Sequence, residues 1–122
     1  MFVSNPKAQY LSNKKKIHKA INKVLNSGRY ILGHQVAKFE KEFANYIGCK
    51  YSIGVSSGTE ALNIALVACG ISTNDEVITV SHTAVATAAS ILLAKAKPSF
   101  VDIDESLYTI NPNLIEKSIT KK

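Results

Sequence analysis

Between Tyr51 and Ile103 the chain alternates three short apolar runs with two longer apolar segments, and this order constrains the fold more than any other feature. Residues 51–55, 76–80 and 99–103 have the length of strands. Residues 58–69, stopped by Gly70, and the Ala-rich residues 84–95 read as helices. A β-α-β-α-β order needs crossover connections, so an α/β fold with a mostly parallel sheet is expected, helices packed on it. Near-continuous apolar strands fit burial on both faces. Asn111-Pro112 joins a capping residue to proline at the first helical position, which predicts a last helix from Pro112 to about Ile119.

Upstream, residues 1–13 are polar and read as irregular. From Lys14 to Asn26, Ile17, Ile21, Val24 and Leu25 share a helical face, and Ser27-Gly28 is a stop. A second amphipathic helix is expected from Gln35 to Ile47. It would turn Val36, Phe39, Phe43 and Ile47 inward and leave Glu40, Lys41 and Glu42 wet; Gly48 ends it. The 122 residues, 46% hydrophobic, suit one domain or one large piece of a bigger one. A three-stranded sheet has exposed edges and would leave Val77, Ile78 and Val101 poorly covered. The chain therefore reads as the front portion of a longer protein, its α/β part incomplete.

The formal charge is +6, and ten of the fifteen basic residues lie within residues 1–50. The run Lys14-Lys15-Lys16 reads as the solvated start of a helix, because no aromatic-basic interleaving or nucleic-acid motif accompanies it. Neither nucleic acid nor membrane is expected as a partner. Cys49 and Cys69 read as buried, reduced thiols, and His18, His34 and His82 are too scattered for a metal site. No apolar leader or membrane-length run is visible, so a cytoplasmic location is expected.

The chemistry concentrates at Ser56-Ser57-Gly58-Thr59-Glu60-Ala61-Leu62. A strand turning through Ser-Gly-Thr into a helix gathers free backbone N–H groups and the positive helix end at one point, which makes a phosphate seat. Gly58 permits close approach of the backbone, and Thr59 adds a hydroxyl. No Lys or Arg occurs between Lys50 and Lys95, so an anion here would be held by backbone and hydroxyl donors.

Five segments in register carry a family resemblance. They are Gly33-x-x-Val36-x-x-Phe39-Glu40-x-x-Phe43-Ala44-x-Tyr46-x-Gly48; Ser56-Ser57-Gly58-Thr59-x-Ala61-Leu62; Asp75-Glu76-Val77-Ile78-x-x-Ser81-x-Thr83-x-x-Ala86-Thr87; Phe100-Val101-Asp102-Ile103-Asp104; and Tyr108-x-Ile110-x-Pro112. Over roughly residues 28–120 the chain resembles the N-terminal part of the DegT/StrS family, fold-type-I, pyridoxal-phosphate-dependent aminotransferases acting on nucleotide-linked keto sugars. The resemblance divides the chain into an N-terminal segment and helix, residues 1–30, and the front of the cofactor-binding large domain, residues 31–122.

The resemblance implies that Ser57, Gly58 and Thr59 cradle the phosphate of pyridoxal 5'-phosphate. It matches Ser81-His82-Thr83-Ala84 to the loop covering one face of the pyridine ring. Many members have an aromatic residue where this chain has Ala84, and proline where Val80 stands. His82 is a candidate substitute for the ring contact, the alternative being a loop or core histidine with a hydrogen-bond partner. Asp102 and Asp104 follow a strand into a turn and read as structural; Thr83 and Thr87 read as helix-start hydroxyls. The family's Schiff-base lysine and its acid partner to the pyridinium nitrogen fall beyond residue 122, and Lys95, Lys97 and Lys117 do not match the lysine's context. No catalytic residue is assigned in this chain.

The implied activity of the whole enzyme is transfer of an amino group, from glutamate, to a nucleotide-linked keto sugar for polysaccharide or glycoside biosynthesis, in a homodimer. The chain alone is expected to be inactive. The alternatives are a non-catalytic truncated remnant, a sugar dehydratase relative using the same cofactor, and an unrelated phosphate-binding α/β module.

Overall fold

The Asn-Pro signal that predicts the last helix occurs a second time at Asn5-Pro6, and there too it starts a helix. α1 spans Pro6–Ser27, eight residues earlier than the apolar periodicity indicated. Asn5 Oδ1 accepts the Ala8 N–H at 3.1 Å, and proline at the first position sacrifices only an N–H that a helix start leaves unpaired. The structure, a computed structural model, describes residues 4–121. Residues 1–3 of the stretch read as irregular, and Lys122, lie outside them. Contacts divide the described chain into two compact units, residues 4–54 and 55–121.

In the first unit α1 stops at Gly28, whose φ of 63° suits glycine. α2 spans His34–Ile47 behind Gly33. A Cβ on Gly33 would stand 2.8 Å from the Arg29 carbonyl oxygen, so the approach of chain to helix requires glycine. The face of α2 read as inward is not buried among the described residues: Phe39 is 59% and Ile47 58% exposed, and Phe39 stacks on Phe43 at 5.7 Å. Only Ala44 of this helix is buried. Glu40, expected on the wet side, is half-buried and accepts the Gly54 N–H at 2.8 Å. A backbone donor from the returning chain drew the carboxylate inward.

The second unit carries α3 (Gly58–Ala68), β1 (Glu76–Val80), α4 (Val85–Leu93), β2 (Lys97–Val101) and α5 (Pro112–Ser118). β1 and β2 pair in parallel, from Glu76 against Lys97 to Val80 against Val101. α4 is the crossover between them, and α3 packs on α4. β2 begins two residues earlier than expected and takes in Pro98. Proline supplies no N–H to a ladder, so this is a residue for an edge.

The α/β class and the parallel pairing hold, with one correction. Residues 51–55, expected as the first strand, form no ladder among the described residues. A strand is defined by its neighbour, and an apolar run without one stays extended and unpaired, with Ile53 78% exposed. Coverage of the sheet also differs from expectation. Val101 is buried and Val77 and Ile78 are half-buried, because α4 packs on both strands and α5 on β2. Ile91, Ala94, Ala96 and Val101 make the small core of this unit. No described helix is long and apolar enough to cross a membrane.

Candidate functional site

α3 begins at the Ser-Gly-Thr turn, as its sequence requires. Ser57 sits in extended backbone (φ −161°, ψ 167°), and its Oγ accepts the Glu60 N–H at 3.1 Å. Its carbonyl accepts the Ala61 N–H at 3.0 Å. Ser57 and Glu60 have the spacing of a capping box, but Glu60 does not return a bond to the Ser57 N–H. The N–H groups of Ser57, Gly58 and Thr59 therefore have no acceptor among the described residues. Three adjacent donors and the positive end of an 11-residue helix point out of one turn.

Gly58 is exposed, and a Cβ built on it would meet nothing within 4 Å. No described residue crowds the Cα of Gly58. Ser57 keeps its O–H to donate while its oxygen caps the helix. Thr59 is half-buried, and its hydroxyl has no partner among the described residues. The turn gathers N–H and hydroxyl donors of the kind that phosphate oxygens accept. Its one neighbouring charge, Glu60 in the first turn, is of the wrong sign to substitute for a lysine.

His82 stands in the loop between β1 and α4, at the C-terminal end of the parallel strands, where ligands of α/β sheets bind. It is exposed, and its ring lies 6.2 Å from that of Tyr108 at an interplanar angle of 42°. This neighbour was not foreseen. Tyr108 lies 26 positions away, and no local pattern reports a contact at that separation; its place in a recurring segment was the only signal. Ser57–Thr59 and His82 share no hydrogen bond or ring contact. The packing of α3 on α4 is what joins the elements that carry them.

Around His82 the loop is held locally. The Thr83 N–H donates to the Ser81 carbonyl at 2.9 Å, and the Thr83 and Thr87 hydroxyls bond each other at 3.0 Å. α4 has Ala84 as its N-cap, with no side-chain cap. The two aspartates accept hydrogen bonds from their own turn. Asp102 Oδ1 accepts the Ile103 N–H, and Asp104 Oδ1 accepts the N–H groups of Ser106 and Leu107 at 2.9 and 3.0 Å. Those bonds, with the Ser106 hydroxyl foremost, hold the Asp104 carboxyl below its ordinary range. No cluster of potential metal ligands occurs among the described residues. Cys49 and Cys69 are free thiols, but both are exposed among the described residues rather than buried as expected, because each stands at the end of a helix with little packed over it.

Comparison with known proteins converges on one group. The model of the DegT/DnrJ/EryC1/StrS aminotransferase family matches residues 11–122. A UDP-2-acetamido-2-deoxy-3-oxo-D-glucuronate aminotransferase of Pseudomonas aeruginosa is 44% identical over 116 residues, 95% of this chain and 32% of that protein. The crystal structure of S. venezuelae DesV in complex with a ketimine intermediate superposes with a TM-score of 0.91 at 41% identity, over 96% of this chain and 32% of that one. The structure of ntda from Bacillus subtilis, with bound cofactor PMP, superposes with a TM-score of 0.86 at 34% identity, over 90% of this chain and 25% of that one. The chain thus spans about a third of the length of the relatives it matches.

Proposed function

This chain belongs to the DegT/DnrJ/EryC1/StrS aminotransferase family, and from that premise we propose that it supplies the phosphate-binding side of a pyridoxal-phosphate-dependent sugar aminotransferase. Aminotransferases of this family depend on pyridoxal phosphate. The observation that carries the reading is the α3 turn: three unpaired N–H donors, two hydroxyls and open space at Gly58, with no cation in the surrounding sequence.

Ser57 and Thr59 would each donate a hydroxyl proton to phosphate oxygens, and the N–H groups of Ser57, Gly58 and Thr59 would donate along the helix axis. Charge-assisted bonds of this kind anchor the end of the cofactor remote from its chemistry and so fix its ring. The bound cofactor would supply an aldehyde that takes up amines and a ring that withdraws electrons from the bond to be broken. His82 would cover one face of that ring and exclude water there.

The substrate of the whole protein would be a nucleotide-linked keto sugar, its amino donor glutamate, and its assembly a homodimer with residues 31–122 in the large domain. The route would feed polysaccharide or glycoside synthesis in the cytoplasm. No residue of this chain is assigned the role of the cofactor-bound lysine. Lys97 pairs with Glu76 at 3.2 Å where both strands begin, the opposite end of the sheet from His82. Lys95 precedes that same end, and Lys117 lies in α5. The chain alone should bind cofactor weakly and not turn over.

Binding of pyridoxal phosphate and of pyridoxal to the full chain, and to its Thr59→Val variant, tests the phosphate seat. The expected result is tighter binding of the phosphate ester, with that advantage reduced about tenfold by the variant and pyridoxal unaffected. Equal affinity of the parent chain for the two compounds would refute the seat.

A further inference from the structure

Tyr108 is the unexplained residue of the second unit. It is large, aromatic and 66% exposed, so core packing does not account for it. Its φ is 56°, a left-handed conformation that an aromatic residue adopts only when its surroundings impose it. Those surroundings are identifiable. The Tyr108 N–H donates to the Asp104 carbonyl at 2.8 Å, and the Asp104 N–H donates to the Thr109 carbonyl at 2.8 Å. The Asp104 carboxylate gathers the N–H groups of Ser106 and Leu107 inside the same turn. An antiparallel bridge between Ile103 and Ile110 closes the base. The turn is over-determined, and one of its outcomes is a tyrosine ring beside the His82 imidazole.

The two residues come from the loops that follow β1 and β2. These strands are parallel and paired to their last residues, Val80 with Val101, so both loops leave the same end of the sheet. A histidine on an exposed loop has several rotamers, and a neighbouring ring at 6.2 Å restricts them. We propose that Tyr108 is a positioning residue, its ring holding the His82 imidazole in the orientation from which His82 covers the cofactor ring. The inference rests on the cofactor-facing role of His82 given above. Tyr108 acts through His82 and is assigned no contact with the cofactor.

The test combines a structural readout on the cofactor-free chain with a binding readout. The ring resonances of His82 are followed by NMR in the full chain and in Tyr108→Ala, Tyr108→Phe and Tyr108→Gly. Glycine suits the positive φ, so Tyr108→Gly removes the ring without straining the turn. The Ser106 and Leu107 amide signals report whether the turn survives. Affinities for pyridoxal phosphate and for inorganic phosphate are measured in the same variants, in His82→Ala and in the double variant His82→Ala with Tyr108→Gly.

Loss of the tyrosine ring should shift the His82 resonances and weaken pyridoxal phosphate about three- to tenfold, with inorganic phosphate unchanged. Tyr108→Phe should restore both, and the double variant should bind no more weakly than His82→Ala alone. Unmoved His82 resonances in the ring-less variants would overturn the inference, as would additive losses in the double variant. If His82→Ala weakens pyridoxal phosphate and Tyr108→Gly does not, positioning fails while the cofactor-facing role stands. If His82→Ala leaves affinity intact, that role fails and takes the inference with it.

Discussion

Substituting Ser57 separates the two tasks of one hydroxyl. Its oxygen accepts the Glu60 N–H at 3.1 Å, and its proton remains free to donate. Ser57 is exposed, so its loss opens no cavity. Ser57→Ala removes the cap, which costs about 1 kcal/mol. For a chain of this size that is a fall of about 3–5 °C in Tm. Ser57→Gly costs only about 0.3 kcal/mol, because glycine is tolerated at a cap. Both variants lose the same O–H donor. A hydrogen bond to a charged partner contributes about 1.5–3 kcal/mol, and exposure to water argues for the lower end, so each should bind pyridoxal phosphate about tenfold more weakly. Circular dichroism melts give the first quantity, and titration with pyridoxal phosphate and with pyridoxal gives the second. The expected pattern is unequal stability, equal loss of the phosphate ester and unchanged pyridoxal. Equal destabilisation by Ala and Gly would refute the capping argument. An affinity for pyridoxal phosphate that follows stability, or falls for pyridoxal as well, would refute the donor argument.

Two further outcomes follow from the second unit. Ile91 is 2% exposed, so Ile91→Ala should cost about 2–5 kcal/mol by urea unfolding, while Leu92→Ala, at a side chain 61% exposed, should cost about 0.5 kcal/mol or less. Hydrogen bonds hold the Asp104 carboxyl below its ordinary value of 3.8, so its contribution to the 104–108 turn is present above that value and lost as pH falls through the lower folded one. The Ser106 and Leu107 amide signals should move in that acid window and lose the response in Asp104→Asn; an unchanged titration in the variant would refute it.

The parts of the fold legible in the sequence are those whose hydrogen bonds close within a few residues. Asn111 caps the Asn113 N–H and Ser57 the Glu60 N–H, and both helices start where these residues predict. β1 occupies the residues read for it, 76–80, because its apolar run is bounded on both sides by turn residues. Where a cue competed with periodicity, periodicity misled. Asn5-Pro6 carries the same signal as Asn111-Pro112, and α1 follows it rather than the first apolar residue of its stripe. The donor set of the α3 turn was legible for the same reason as the caps: its N–H groups belong to consecutive residues of one turn.

Local backbone geometry alone fixes the starts of α3 and α5 and the donor set at Ser57–Thr59. Tertiary structure decided the rest. The run at 51–55 has the composition of a strand but lacks a paired neighbour among the described residues, and the partner of β1 is taken in a register that begins at Lys97. The inward face of α2 depended on what packs against it, and Glu40 turned inward because the Gly54 N–H came within reach. The contact of His82 with Tyr108 exists only because two loops leave one end of a parallel pair. Such contacts join residues distant in the chain, and each is decided by which surfaces the folded elements leave available to one another.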